Sequence, residues 1–351
     1  MSKKIRQSNV ELLRIITMIL VMIVHANFRA LPSPTIEEVA NVPTSSFLRF
    51  LTESFSIICV NVFVLISGWF GIKFNWKKLT EFLFQVLFFG FIIYVIICII
   101  NPDKIKSIKT VFMTGTWNYW FVKCYLFLYI ISPVLNAFVE KASKNEFKTL
   151  LILFFIMQTA YGWATDGATW FNKGYSGISF AGLYLLARYI RIYPVKWFSR
   201  TLKFDLFIYL GFVFLNTILA FAFTKYGYIS LGKRLFLYTS PLVILAAVHF
   251  LLIFTKFTIT SKTINWIAAS CFAIYLTHSN SFLAGPCYDH VILNWFKTET
   301  TMNFILFTVI LMFSVFWISI LSDKIRIFIF NKLYNTINPQ TDKNSQPLNK
   351  S

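Results

Sequence analysis

Apolar residues fill this chain in stretches long enough to cross a bilayer, separated by short polar segments. A hydrocarbon core takes about 20 helical residues to span. Runs of that order fall at 10–28, 50–70, 79–100, 118–138, 147–164, 176–193, 204–223, 234–255, 263–284 and 303–322. The pattern predicts an all-α, polytopic membrane protein with about ten transmembrane helices in one bundle, because helices satisfy their own backbone polar groups in lipid. An even number of crossings returns both termini to one side. No Gly-, Ser- or Pro-rich linker divides the runs, so residues 1–335 read as a single membrane domain. The polar end, which carries Pro339 and Pro347, reads as a disordered cytoplasmic tail over 336–351. The longest connections on the far side, 29–49, 101–117 and 285–302, are too short for a soluble catalytic domain. Any chemistry therefore belongs among the helices.

Composition agrees with this reading and charge refines it. The 351 residues are 57% hydrophobic and 13% charged, with 41 Phe, well away from the composition of a water-soluble domain. A net charge of +19 would suit nucleic acid, but the cations are sorted by side. With the N-terminus inside, 21 of the 33 Lys and Arg fall in inner segments and 10 in outer ones. This is the positive-inside bias; it places the termini in the cytoplasm, expects a multi-pass protein of the inner (plasma) membrane, and argues against a nucleic-acid partner. The first apolar run has a basic flank but is too long, and lacks a small-residue cleavage site, for a secretory signal. The five cysteines show no metal-ligand spacing.

Candidate chemistry begins in the first run. Arg14 and His25 are eleven residues apart, which on a helix is about 20° past three full turns and about 16 Å along the axis. Both project from one face, and Glu11, three residues before Arg14, lies beside the same stripe and can pair with it. A carboxylate, a guanidinium and an imidazole among Leu, Ile, Met and Val are costly in a membrane and usually functional. The plainer alternative has Arg14 snorkelling to headgroups and His25 closing the outer end of the span.

The segment Asn9-Val-Glu11-Leu-Leu-Arg14, followed after ten residues by His25, resembles the opening signature of the acyltransferase-three family of integral membrane O-acyltransferases. Phe63-Val-Leu-Ile-Ser67-Gly68 is similar to that family's Phe-rich stretch ending in Ser-Gly. Trp120 through Tyr125, Pro133 and Asn136 is similar to its fourth-span pattern, and Ile274-Tyr275-Leu-Thr-His278 to its late Tyr-Leu-x-His. The four likenesses come in the expected order. The resemblance implies transfer of an acyl group, usually acetyl from acetyl-CoA, to a hydroxyl of a cell-surface polysaccharide or lipid-linked sugar. Acyl-CoA would be a co-substrate, with no cofactor bound permanently. The lipid bilayer is the medium, and proteins of surface-glycan biosynthesis are the expected partners.

On that basis His25 is the expected base or nucleophile, and Arg14, nearer the cytoplasmic face, is expected to bind a phosphate or carbonyl oxygen with Glu11 holding its guanidinium in place. Lys73 and Lys77, where the family often has an arginine pair, and Arg188 with Arg191, three apart at the inner end of the sixth run, are candidates for the phosphates of CoA. Ordinary inner-face anchoring explains these four equally well. Trp120, Tyr275 and His278 are expected at the acceptor site, and Lys123, several residues into the fourth run, is expected to line a cavity there. Ser67 and Asn61 complete the set. Close helix packing is the more ordinary role for Ser67-Gly68, and Asn61, where relatives often carry Asp, cannot supply a carboxylate's charge. A polysaccharide flippase or transporter, or a non-catalytic subunit of a polymerase complex, would also bury charges and aromatic rings.

Overall fold

The computed structural model describes residues 7–100, 119–165 and 169–338, and among them the regular structure is helical, without strands. In chain order the helices are α1 (Ser8–Val24), α2 (Ile36–Asn41), α3 (Pro43–Ser56), α4 (Cys59–Phe70), α5 (Trp76–Ile100), α6 (Trp120–Lys141), α7 (Lys144–Met157), α8 (Gly177–Ile192), α9 (Leu202–Lys225), α10 (Ile229–Arg234), α11 (Pro241–Thr255), α12 (Lys262–Ala268), α13 (Cys271–His278), α14 (His290–Thr298) and α15 (Thr301–Ile337). Short π-helical turns follow α1 at His25–Arg29 and α7 at Gln158–Ala164, and another precedes α14 at Gly285–Asp289. The chain is an all-α polytopic membrane protein. The expected outer connection at 101–117, and the expected tail from residue 339 onward, lie outside the described residues.

Seven helical segments are long and apolar enough to cross a bilayer: Ser8–Arg29, Pro43–Phe70, Trp76–Ile100, Trp120–Lys141, Lys144–Ala164, Leu202–Lys225 and Thr301–Ile337. The other three expected crossings are shorter or broken. Run 176–193 is α8, and run 234–255 keeps only α11 as its apolar helix, since Pro241 opens that helix late. Run 263–284 breaks at Ala269–Ser270 into α12 and α13 and leaves the helix after His278. These pieces sit inside the bundle, where neighbouring helices rather than lipid meet the interrupted backbone. At the other extreme α15 has 37 residues, about 55 Å at 1.5 Å per residue, so it runs well past a core of about 30 Å.

Burial separates the centre from the wall. The apolar windows of the α1 and α3–α4 segments are 67% and 72% buried, against 17% for α15. Helix α1 packs on α3, α4, α11, α12 and α13, and α4 packs closely on α8. Gly68 permits that approach: a Cβ there would stand 2.4 Å from the Tyr184 carbonyl oxygen and 2.9 Å from the Ala187 Cβ.

Ionic clamps between helices lie away from the centre. Asp205 of α9 is fully buried between His249 Nδ1 at 2.8 Å and the Lys256 ammonium, and Trp197 Nε1 donates to His249 Nε2 at 3.2 Å. Both ring nitrogens of His249 are thereby used, which makes it a structural group. On α15, Arg326 grips Asp323 through Nε at 2.9 Å and Nη2 at 3.1 Å, while Gln85 of α5 donates to the same carboxylate at 2.8 Å.

Two glycines separate packing from propensity. Gly68→Ala forces backbone and Cβ atoms apart and should cost about 1–3 kcal/mol, as overpacking does. Gly211→Ala in α9 meets nothing within 4 Å and should be neutral or stabilising by up to about 1 kcal/mol. Unfolding of the purified variants in mixed micelles distinguishes the two.

Candidate functional site

The site is organised by α1, most of whose polar side chains are met by partners. At its start the Ser8 hydroxyl donates to the Ser261 carbonyl at 3.3 Å and Asn9 Nδ2 to the Phe254 carbonyl at 2.7 Å, fastening the helix to the α11–α12 connection. One turn on, Arg14 Nη1 and Glu11 Oε1 form the expected i,i+3 ion pair at 2.6 Å. Glu11 is buried and Arg14 is partly open, at 32% side-chain exposure.

At the other end the helix widens into the π-turn His25–Arg29. Such turns change the direction of successive side chains and are frequent at functional sites. Here they send three polar groups to three places. His25 Nδ1 lies 2.9 Å from His278 Nε2 and 3.3 Å from the Ser279 hydroxyl. Asn27 Nδ2 donates to Glu53 Oε2 of α3 at 3.0 Å. Arg29 pairs with Asp289 through Nε at 3.0 Å and Nη2 at 2.9 Å, and the same Nη2 reaches the His278 carbonyl at 3.4 Å. Arg29 and Asp289 thus tie the two π-turns together directly beside the histidine pair. Tyr288, whose hydroxyl donates to the Met22 carbonyl at 2.9 Å, closes the gap behind them.

On the other side, His25 lines a narrow cavity of about 40 Å³. Its walls are Met18, Val21 and Val24 of α1, Cys59, Val60 and Phe63 of α4, Trp120 and Phe121 of α6, Tyr238, and Phe272 and Tyr275 of α13. Rings dominate: Trp120 stacks on Tyr238 with centroids 5.8 Å apart, and Phe272 on Tyr275 at 5.9 Å. A single imidazole facing a small aromatic chamber can exchange a proton with, or attack, a group held there, with little water to interfere.

The structure brings His25, Trp120 and Tyr275 to this one cavity and sets His278 directly behind His25. Arg14 and Glu11 stay on the same helix, about 16 and 21 Å down its axis from His25, and neither lines the chamber. Asn61 is fully buried next to the wall residues Cys59 and Val60, and its Nδ2 donates to the carbonyl of Tyr238 at 3.0 Å, fixing that ring's backbone. The Ser67 hydroxyl bonds the Phe63 carbonyl of its own helix and the Tyr125 hydroxyl, each at 3.2 Å.

The expectation for Lys123 is corrected: it is exposed on α6, outside the cavity lining. The inward stripe of Trp120, Phe121 and Cys124 centres about 50° past Trp120, and Lys123 lies about 110° to one side of that centre. Lys73 and Lys77 are exposed on the α4–α5 connection and the start of α5, Arg191 lies over the Trp69 ring at 4.8 Å, and the Arg188 guanidinium rests on Gly71, about 3.3 Å from a Cβ there. These four cations gather at the end of the bundle opposite His25. The connection itself is pinned: Ile72 N–H donates to the Tyr184 hydroxyl at 3.0 Å, Asn136 Nδ2 to the Ile72 carbonyl at 2.7 Å, and Asn75 N–H to the Tyr129 hydroxyl at 3.0 Å.

Tyr238 and Phe272 carry no sequence signal, nor does Glu53 or the pairing of Arg29 with Asp289, while Phe63 and Phe121 lie inside the family-like stretches without an assigned role. Arg29 alone had a readable signal, since it follows His25 by four residues and so shares its side of a helix. Among the described residues no group of three or more His, Cys, Asp and Glu is arranged to hold a metal ion.

The Glu11–Arg14 pair is testable by a double-mutant cycle. Glu11→Gln leaves a partly buried guanidinium without its carboxylate and should lower stability by about 1 kcal/mol, discounted for Arg14's exposure. Adding Arg14→Met should recover part of that loss, and strict additivity of the two changes in micelle unfolding would contradict the pairing.

No curated protein and no solved structure shows significant similarity to the chain. A family model described as an acyltransferase domain matches residues 7–323, nearly the whole membrane bundle from the start of α1 into α15. With its buried histidine, aromatic chamber and multi-pass helical fold, the chain belongs to the acyltransferase-3 family and is a membrane acyltransferase.

Proposed function

We propose that this acyltransferase moves an acetyl group from acetyl-CoA to a hydroxyl of a cell-surface polysaccharide or lipid-linked sugar, within the inner (plasma) membrane and with both termini in the cytoplasm. The observation that carries the proposal is the single imidazole of His25 facing a chamber too small for a long acyl chain, at the opposite end of the bundle from a basic patch. A cavity of about 40 Å³ has room for a few water-sized groups, which suits an acetyl carbonyl and an incoming hydroxyl.

The donor would bind by its phosphates at Lys73, Lys77, Arg188 and Arg191, which lie on the end that the positive-inside bias assigns to the cytoplasm. Arg188 is the strongest of the four, because its planar guanidinium is held against Gly71 and presents several donors at once. From there the residues step toward His25 one helical turn at a time. Gly71 is four residues from Ser67, and Ser67 four from Phe63. On the facing helix Tyr125, which bonds Ser67, is four from Phe121. Phe63 and Phe121 line the chamber. A pantetheine arm following this line would bring its thioester to His25. The Arg14–Glu11 pair lies on the same cytoplasmic half and offers a fifth cation to the donor.

For the transfer, His25 takes the hydroxyl proton as the sugar oxygen attacks the thioester carbonyl. The tetrahedral adduct collapses, the C–S bond breaks, and the proton passes to the departing thiolate, giving the ester and free CoA. If His25 attacks instead, an acyl-imidazole forms with loss of the thiol, and the sugar hydroxyl then displaces the imidazole. Trp120 and Tyr275 wall the space that receives the acetyl carbonyl and the incoming hydroxyl. Both routes need a neutral imidazole.

Purified protein in nanodiscs, given radiolabelled acetyl-CoA and a membrane glycan fraction, should transfer label to glycan. His25→Ala should lower the rate by at least about 10²-fold, the usual share of a general base, while gel filtration shows an intact fold. Arg188→Met should raise the KM for acetyl-CoA several-fold with a smaller change in kcat. Label transfer unaffected by His25→Ala would overturn the assignment. Absence of transfer from any acyl thioester would favour a flippase or transporter built on the same family fold.

A further inference from the structure

The structure assigns to His278 the task of positioning His25: it fixes which nitrogen of that ring carries the proton and leaves the other, bare, facing the chamber. It thereby also replaces the expectation that His278 binds the acceptor sugar. Both ring nitrogens of His278 are already engaged and the residue is 3% exposed, so it has no atom left for a ligand.

The argument runs along three atoms. His278 Nδ1 lies 2.5 Å from the Ile274 carbonyl oxygen. A carbonyl only accepts, so Nδ1 carries a proton and donates it. In a neutral ring Nε2 is then a lone pair. The His25 Nδ1 that meets this lone pair at 2.9 Å must carry a proton in turn. The Ser279 hydroxyl oxygen, at 3.3 Å from the same Nδ1, is a second and weaker acceptor. With its proton committed at Nδ1, His25 is left with an unprotonated Nε2 on the edge of the ring turned away from His278, and His25 is the only member of the pair that lines the chamber.

The reversed arrangement, with His278 doubly protonated and His25 accepting, would bury an imidazolium beside Arg29, whose guanidinium reaches the His278 carbonyl. Neither histidine has a carboxylate partner among the described residues, and the nearby Asp289 is held by two nitrogens of Arg29. An unpaired buried cation of that kind is strongly disfavoured. The neutral chain Ile274 carbonyl, His278, His25 is therefore the resting state. When His25 takes a proton at Nε2, the positive charge is shared through its Nδ1–H bond with His278, whose own bond to the Ile274 carbonyl strengthens. His278 thus does for His25 what a buried carboxylate does in a hydrolytic triad, without placing a permanent charge in the bundle.

What the bare Nε2 does rests on the acyl-transfer reading; which nitrogen is bare does not. The chain has four histidines, so ¹⁵N-histidine-labelled full-length protein in nanodiscs gives an imidazole nitrogen spectrum that single substitutions can assign. Wild-type His25 should show a protonated Nδ1 and a bare Nε2. His278→Gln, whose side-chain oxygen can take the place of Nε2 as acceptor, should keep that tautomer and acetyl transfer within about tenfold of wild type. His278→Phe combined with Ser279→Ala removes both acceptors; it should mix the tautomers and lower transfer by about 10²-fold. A protonated Nε2 on wild-type His25 would overturn the inference, and so would an unchanged His25 tautomer in the double variant. Should the double variant fail to fold, the wild-type spectrum and the Gln variant still decide. The expected tautomer in a wild-type protein that transfers from no thioester would leave the positioning role standing and remove the acyl-transfer reading alone.

Discussion

Everything in this bundle follows from one constraint: a polar group inside the membrane has to meet its partner within the protein, since lipid offers none. Helix α1 and the π-turn that continues it carry more of such groups than their apolar sequence easily hides, and five of them are met by partners while the buried Thr17 hydroxyl is not. Asn9 is met by the end of α11, Glu11 by Arg14 on the same helix, His25 by α13, Asn27 by α3, and Arg29 by the π-turn before α14. A helix held from so many sides has to stand at the centre of the bundle. Its neighbours then have their rotation and height set by the atoms they supply, so the polar residues act as registration points rather than as a sum of stabilising bonds.

The same constraint separates what could be read from sequence from what could not. The long apolar runs were legible because spanning length is a one-dimensional property, and Glu11–Arg14 was legible because a helix brings residues three apart together. The pairing of His25 with His278 was not, for they stand 253 positions apart and no period in the sequence records that two helices meet. What the sequence did offer was each histidine in its own motif, and so His278 was read as a ligand for the acceptor when its neighbours consume both nitrogens. Glu53 and Asp289 were invisible for the same reason: a lone acid near a helix end looks like a solvated one until its partner is placed. The aromatic wall drew on residues that 41 phenylalanines made indistinguishable from lipid-facing ones.

Lys123 shows the limit of reasoning from depth alone. A cation several residues into a span was expected to face inward, because the interior is where membrane proteins keep their charges. Depth and azimuth are separate coordinates, however. Helix α6 is only 28% buried over its apolar window, so most of its positions look outward, and its inward stripe is taken by Trp120, Phe121, Cys124 and Leu128. Lys123 leaves the helix on that open side, where it is exposed.

The broken run 262–278 ties these points together. A continuous span there would have added one more regular crossing, and the structure instead interrupts it at Ala269–Ser270 and ends it after His278. Ending at that point has a chemical consequence. The Ile274 carbonyl, one turn before His278 and still inside the helical ladder, takes the side-chain Nδ1–H on its second lone pair. The helix end therefore orients its own histidine, and the residue just beyond it, Ser279, reaches the same partner. In α1 the π-turn plays the matching part, widening the helix where His25, Asn27 and Arg29 must diverge. Two local departures from regular helix, each tolerable only because the bundle supplies the missing partners, are what bring two imidazoles edge to edge in the interior.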